Sequence, residues 1–260
     1  MLETIVAHIY KQHKMMVKNA SELAWIFIYP FVALLSIGIF AYYISLSGGP
    51  PETILFVLVG VIVWNFYDLT QRSITYGMTY DMWSNSLKHG MVNYSGEKEF
   101  IIGNSFYGLL TAYFVVILIG IVGIFAFGFN IFSAGIILVL SLVPVFLFAI
   151  SIGLLIDSLM ITRGHNWMSL IWSISGVIMI FSGVFYPTDI LPGGLGSLAF
   201  SLPTTYSINA LRSAFGFTAI PIAESIFSGF VISLFYLIIC IFIFSKAVKR
   251  SKTTGKLAQY

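Results

Sequence analysis

Four histidines, one cysteine and ten carboxylates are the residues from which this 260-residue sequence could build a reaction centre. A metal site needs ligands at helix or hairpin spacing, and His8, His13, His89 and His165 form no such pair. Cys240 lies inside an apolar run and reads as a small buried hydrophobe. A phosphate-cradling loop ends in Gly-Lys-Ser/Thr after an earlier glycine. Thr254-Gly255-Lys256-Leu257 has neither that first glycine nor the closing hydroxyl, so no nucleotide site is expected. No Gly-x-Ser-x-Gly elbow and no His-Glu-x-x-His pair occurs either. The expectation is a chain that performs no catalysis and holds no cofactor of its own.

Ion-coupled transport is the remaining chemistry, because burying a charge in a membrane is costly and marks a coupling site. Asp68 and Arg72 stand one turn apart at the cytoplasmic end of the second apolar stretch and read as an interfacial pair. Asp157 ends the fourth stretch, Glu22 precedes the first and Glu224 opens the sixth. None of them falls at a bilayer midplane in this reading. A carrier driven by protons or sodium would lack its coupling residue, so the energy must come from outside the chain.

The elements that would hold any such site are membrane spans. Of the 260 residues 58% are hydrophobic and 9% charged, where a soluble domain carries about 25% charge. Such a chain cannot cover itself with a wettable surface. A helix crossing about 30 Å of hydrocarbon needs roughly 20 apolar residues. Six stretches qualify: Leu23–Ser45, Ile54–Thr75, Phe106–Phe127, Phe132–Ile156, Trp167–Phe185 and Ile222–Phe244. With both termini cytoplasmic, twelve of the thirteen Lys and Arg residues fall on the inner side, Arg212 being the exception. The fold class is all-α, one transmembrane domain over 1–260, with both termini in the cytoplasm and the chain in the plasma membrane or a cell inner membrane.

Three segments outside the spans carry pattern. Residues 1–20 read as neither a span nor a signal peptide. Leu2, Ile5, Val6, Ile9 and Met16 recur at helical spacing, which predicts an amphipathic helix on the membrane face with Lys11, Lys14 and Lys18 near anionic headgroups. Residues 95–102 predict a short cytoplasmic helix, capped by Ser95 and followed by Gly96, with Glu97 near the positive end of its dipole. Phe100 and Ile101 would face the membrane, while Glu97 and Lys98 meet a soluble surface or simply solvent. Residues 186–216 are too broken to span. Pro187, Pro192 and Pro203 punctuate them, Leu195, Leu198, Ala199 and Leu202 share one face, and a second helix runs from about Thr205 to Phe215 with a stop at Gly216. They predict a re-entrant hairpin in the outer leaflet, with Arg212 at headgroup level. In the fifth span Ser169, Ser173 and Gly176 share a face, which suits either packing within the subunit or a dimer seam or path. Trp64, Asn65 and Tyr67 in the second span are candidates for the opposite wall.

With these elements in place the chain resembles the type-2 permease family of ATP-binding-cassette exporters. The resemblance is carried by Phe181-Ser182-Gly183-Val184-Phe185-Tyr186-Pro187 and Ile190-Leu191-Pro192. Leu202-Pro203-Thr204-Thr205-Tyr206 and Asn209-Ala210-Leu211-Arg212 follow. Leu202 stands where the family usually has Asn, and the segment from Ser95 to Ile102 matches only in position, cap and charge. The resemblance implies two permease copies, in a homo- or heterodimer, worked by two cytoplasmic ATPase subunits that bind ATP and magnesium. It further implies that Ser95–Phe100 couple to the motor and that Gly183, Tyr186, Pro187, Pro192, Pro203, Tyr206, Asn209 and Arg212 belong to an extracellular gate. Spans two and five would line the path for a drug, a lipid or a lipid-linked glycan. Membrane lipids are the other partner expected, and nucleic acid is not. A lone carrier or channel, or a membrane scaffold, is the competing class.

Overall fold

The computed structural model describes residues 2–50, 52–87 and 96–255, and every regular element among them is a helix. Helix α1 (Leu2–Lys18) gives way at Asn19 to α2 (Ala20–Leu46), whose first turn is capped by the Asn19 side chain accepting from the Ser21 amide. Helices α3 (Thr53–Trp83), α4 (Glu97–Phe127) and α5 (Ile136–Arg163) follow. After a 3-10 turn, His165–Ser169, come the short helices α6 (Leu170–Phe181), α7 (Leu195–Ala199) and α8 (Pro203–Ala214). The last helix, α9, is Ile222–Thr253.

Five helices (α2, α3, α4, α5 and α9) are long and apolar enough to cross a membrane. The shortest has 27 residues, about 40 Å at 1.5 Å per residue. The expected fifth span differs. Its α-helical part has 12 residues, about 18 Å long, and the whole apolar helical run Asn166–Phe181 is shorter than the other five. Ser182-Gly183 stops it, with Gly183 at φ +68°, four residues before the expected end at Phe185. The sequence cannot show this stop, because Gly183-Val184-Phe185 is as apolar as the helix before it.

The other boundaries shift outward. α3 continues past Thr75 to Trp83, so Asp68 and Arg72 lie mid-helix rather than at its end. α5 continues past Ile156 to Arg163, so Asp157 is inside it, fully buried. Gly96, with extended backbone, occupies the N-cap of α4, and the expected cap Ser95 lies outside the described residues. Glu97 to Ile102 are therefore the first turns of a 31-residue helix and not a separate coupling helix. Phe100, Gly103, Asn104 and Tyr107 are buried in a row at helical spacing, so the packed stripe runs unbroken from the charged end into the apolar stretch.

The core is organised around α3, which packs against α2, α4, α5 and α8. Several of its buried polar groups close on their own helix: Asn65 Nδ2 donates to the Val61 carbonyl at 2.8 Å, and Thr70 and Thr79 hydroxyls donate to Phe66 and Thr75 carbonyls, each at 2.8 Å. A polar residue bonded this way sits in an apolar bundle at little cost. The most extensive helix pair is α5 with α9.

α1 docks through its polar stripe, opposite to the expectation for its lysines. Lys11 Nζ lies 2.6 and 2.7 Å from the two Asp81 carboxylate oxygens, and Gln12 Nε2 donates to Asn104 Oδ1 at 2.9 Å. Lys11 therefore bonds the end of α3 rather than a headgroup, while Lys14 and Lys18 are exposed. Close approach is possible because Gly77 and Gly103 have no side chain: a Cβ would meet Gln12 Nε2 at 2.1 Å and His8 Cβ at 2.6 Å. Leu2, Val6, Tyr10 and Val17 point outward, exposed.

His8 makes this docking pH-sensitive. It is buried edge-on against Phe100, with Nδ1 unpartnered among the described residues. Burial, and then the Lys11 ammonium, hold its pKa below the ordinary 6.5, against smaller opposing pulls from Asp81 and Glu99. A lowered pKa means that docking favours the neutral ring. Docking is then fully present above about pH 6.5 and is lost as pH falls through the lowered value. Amide exchange in α1 should be protected at pH 7.5 and faster at pH 5 after correction for the intrinsic rate, and His8→Leu should abolish the difference. Equal protection of the parent protein at both pH values would refute it.

Candidate functional site

The bundle end where α3 begins carries the broken segment. Ser182–Tyr186 has no regular structure, and its carbonyls have no helical ladder to join. Pro187 is extended ahead of a 3-10 turn, Thr188–Ile190. Pro192 follows that turn, and Gly193 and Gly194 at φ +60° and +80° lead into α7. Pro203 opens α8, where its missing amide N–H would have had no partner anyway. α8 thus starts two residues before the expected Thr205, and Gly216 (φ +78°) ends the segment as expected. Ala199, Ile208 and Leu211 are buried, whereas Leu195 and Leu198 stay 39% and 49% exposed, so the expected apolar face of α7 is only partly packed.

Arg212, in the last turn of α8, ties this end together. Expected at headgroup level, the side chain is enclosed by protein rather than open to headgroups, at 1% exposure. Nη1 donates to the Gly183 carbonyl at 2.8 Å and Nη2 to the Val184 carbonyl at 2.9 Å. Nε and Nη2 both reach the Phe56 carbonyl at 3.3 Å. Its Cζ lies 3.4 Å from the centre of the Phe56 ring. The physical reason is the broken backbone: carbonyls freed from a helix in an apolar setting need donors, and a guanidinium brings five in a fixed fork. Among the described residues it has no carboxylate partner.

Side chains reinforce the break. The Tyr186 hydroxyl donates to the Ile180 carbonyl at 2.6 Å, and the Tyr206 hydroxyl to the Phe200 carbonyl at 2.9 Å. Ser182 and Thr204 share a hydroxyl hydrogen bond, and Asn209 is buried in α8. Gly60 faces the Val184 carbonyl so closely that a Cβ there would lie 2.0 Å from its oxygen. Beside this knot Glu52, Phe56, Phe185, Tyr186 and Phe217 border a cavity of about 530 Å³. Gly183, Tyr186, Pro187, Pro192, Pro203, Tyr206, Asn209 and Arg212 therefore occupy one segment, with Gly183 and Arg212 in direct contact.

The residues expected to line a path divide. Ser169 and Ser173 are exposed, and a Cβ on Gly176 would meet nothing within 4 Å. Among the described residues this stripe is only lightly packed, with Gly176 half-buried. The inward face of α6 is Ile171, Ser175 and Ile178, with Ser175 Oγ donating to Gln71 Oε1 at 3.2 Å. On α3, Asn65 and Tyr67 are buried, Tyr67 stacking on Phe148 at 5.7 Å, so they face the core rather than an open wall. Trp64 is half-buried.

At the opposite end of α4, Glu97 and Glu99 are half-buried and Lys98 is exposed. Phe100 does not face outward as expected. It is stacked on Phe244 of α9 and edge-on to His8, each at 6.0 Å, which joins α1, α4 and α9. Sequence reasoning missed Gly60, Gln71 with Ser175, and the burial of Asp157, whose two carboxylate oxygens have no partner among the described residues. A glycine within an uninterrupted apolar run was the one available signal, at Gly60.

Five long apolar helices, packed with a broken segment held by a buried arginine, define a multi-pass membrane protein. The family model described as ABC-2 type transporter matches residues 3–216, and the chain belongs to that family. It is a permease subunit of an ABC transporter, a transport component of a family that normally works with an ABC ATPase. No curated protein matches the chain.

Proposed function

We propose that the chain forms half of an export path for a hydrophobic or amphiphilic cargo, driven by a separate cytoplasmic ATPase, with its exit gate at the Arg212 knot. The observation that carries this is a broken, carbonyl-rich segment held by one buried arginine. Such a seam can part without unfolding a long helix. Ser175 meets Gln71, and Val184 meets Gly60, eleven residues nearer the start of α3. Those eleven residues span about 16 Å, so the chain from α6 onward climbs beside α3 and supports a sixth crossing made by a short helix and its extension. In this reading the basic residues argue for cytoplasmic termini in a plasma or cell inner membrane, with the 186–216 hairpin in the outer leaflet. The face of exposed Ser169 and Ser173 with half-buried Gly176 suits a second permease copy across the path.

Export should be measured in sealed vesicles holding the permease with its co-purified ATPase. Loss of export on removing ATP, with no loss on adding a protonophore, supports the reading; the reverse pattern overturns it. Glu97 and Lys98 at the tip of α4 are the docking contacts in this reading, and Glu97→Lys should lower ATPase co-purification at least threefold. Unchanged co-purification would remove that assignment. One observation favours an ion-coupled carrier instead: Asp157 is buried and unpartnered among the described residues. Asp157→Asn should leave ATP-driven export within about twofold of the parent, and loss of export without loss of ATPase binding would favour the carrier.

A further inference from the structure

Between α1, α2, α3 and α4 lies a second cavity that the gate and path do not use. Trp25, Tyr29, Tyr76, Tyr80 and Tyr107 contribute five aromatic side chains to its wall, and Glu22 and Asp68 contribute two carboxylates. The walls are held in place. Asn19 Nδ2 donates to the Tyr80 hydroxyl at 3.2 Å, and the Tyr107 hydroxyl donates to Met16 Sδ at 2.9 Å.

The charges do not balance. Arg72, the single basic residue in the lining among the described residues, is bound to Asp68 at 2.8 Å and has its guanidinium 5.4 Å from the Trp25 ring and 5.9 Å from Trp172. Arg72 and Asp68 neutralise each other at the deep end. Glu22 has no ion-pair partner among the described residues. A half-buried carboxylate beside aromatic faces attracts a cation from both sides, by its charge and by the ring quadrupoles. Trp25 and Tyr29, each 42% exposed, stand between this cavity and a shallow apolar groove along Ile28 and Val32. An alkyl chain lying in that groove would bring its head to the cavity mouth. Glu22 is in the first turn of α2, so this happens near the membrane surface.

We propose that the cavity binds the ammonium group of an amphiphilic cation, which enters from the lipid side past Trp25 and Tyr29. Glu22 supplies the counter-charge, the tyrosines and Trp25 supply the cage, and the groove takes the chain. An anionic head would face Glu22 with no compensating basic residue, Arg72 being already engaged. The same chemistry serves a resident choline-type lipid or a free organic ammonium.

The test uses the full chain in nanodiscs and a photoreactive alkyl-trimethylammonium probe, with labelled peptides mapped by mass spectrometry. Saturable labelling in the α2 segment that carries Trp25 and Tyr29 is expected, reduced about tenfold by Glu22→Gln and by Tyr80→Leu. Competition by tetramethylammonium would assign the site to free organic cations. Competition only by a choline phospholipid would assign it to a lipid headgroup. Labelling unchanged in Glu22→Gln, or matched by an uncharged probe with the same tail, would overturn the proposal. Because labelling requires no ATPase and no transport, it can fail while the export reading stands, and the reverse.

Discussion

Arg212→Ala should cut export at least tenfold while leaving the protein helical, membrane-embedded and able to bind its ATPase. The side chain makes four hydrogen bonds to three carbonyls, two of them, at Gly183 and Val184, in irregular backbone. Leaving a buried carbonyl without a donor costs about 1–3 kcal/mol, so losing the fork should destabilise that end of the bundle by roughly 2–4 kcal/mol. The long helices do not depend on it, because their backbone bonds are internal, and this separates gate loss from unfolding. Arg212→Lys should be intermediate, since one ammonium cannot reach all three carbonyls with the geometry of a guanidinium. Arg212→Met keeps much of the buried stem but no donor, and should resemble the alanine variant. Export and thermal midpoint are measured in parallel. Full export by the methionine variant would show that the carbonyls need no donor, and would remove Arg212 from the gate.

What the sequence revealed here, and what it concealed, follow one physical line. Five of the six expected spans are present as long helices because composition over 20 residues is a local property, and the membrane reads it residue by residue. Pro187, Pro192, Pro203 and Gly216 likewise act where they stand, so the broken segment was legible together with its approximate limits. Burial of Arg212 was not. It depends on Phe56, Gly183 and Val184 meeting at one point, and these are 156, 29 and 28 residues from it in the chain. A basic residue on the outer side, read alone, belongs at a headgroup; only the orphan carbonyls draw it inward. The same holds for α1. Its lysines suggested a lipid surface, yet Asp81, 70 residues away, takes Lys11. The start of α4 was missed for a different reason: charges at 97–99 suggested a separate element, although a helix projecting beyond the hydrocarbon carries charge at no penalty. Asp68, Arg72 and Asp157 moved inward because α3 and α5 overrun the apolar stretches that defined them.

Gly60→Ala should disable the gate as severely as the loss of Arg212, although it removes no hydrogen-bonding group. In a helix interior this substitution normally stabilises by about 0.5–1 kcal/mol. Here the sign reverses. The new Cβ would stand 2.0 Å from the Val184 oxygen and 2.8 Å from its carbonyl carbon, where ordinary contact begins at about 3.4 Å. Both obstructing atoms are backbone, so no rotamer change relieves the overlap and the 183–184 segment must shift by about 1 Å. That segment is where Arg212 bonds, at 2.8 and 2.9 Å, and a displacement of that size takes both bonds beyond useful length. Gly60→Ala and Arg212→Ala should therefore be strongly non-additive, the double variant exporting and melting much as either single one does, because both act on the Val184 carbonyl. Gly176→Ala supplies the contrast. Its Cβ meets nothing within 4 Å in a single chain, so the isolated subunit should melt no lower than the parent, and slightly higher by the usual helix-interior gain of about 0.5–1 kcal/mol. Any loss of export in that variant must then come from what lies against the exposed stripe, and crosslinking between cysteines placed at Ser173 in two copies would identify it as the second permease. If instead Gly60→Ala exports normally, the segment after α6 is not held against α3 during transport, and the gate must be sought elsewhere in the bundle.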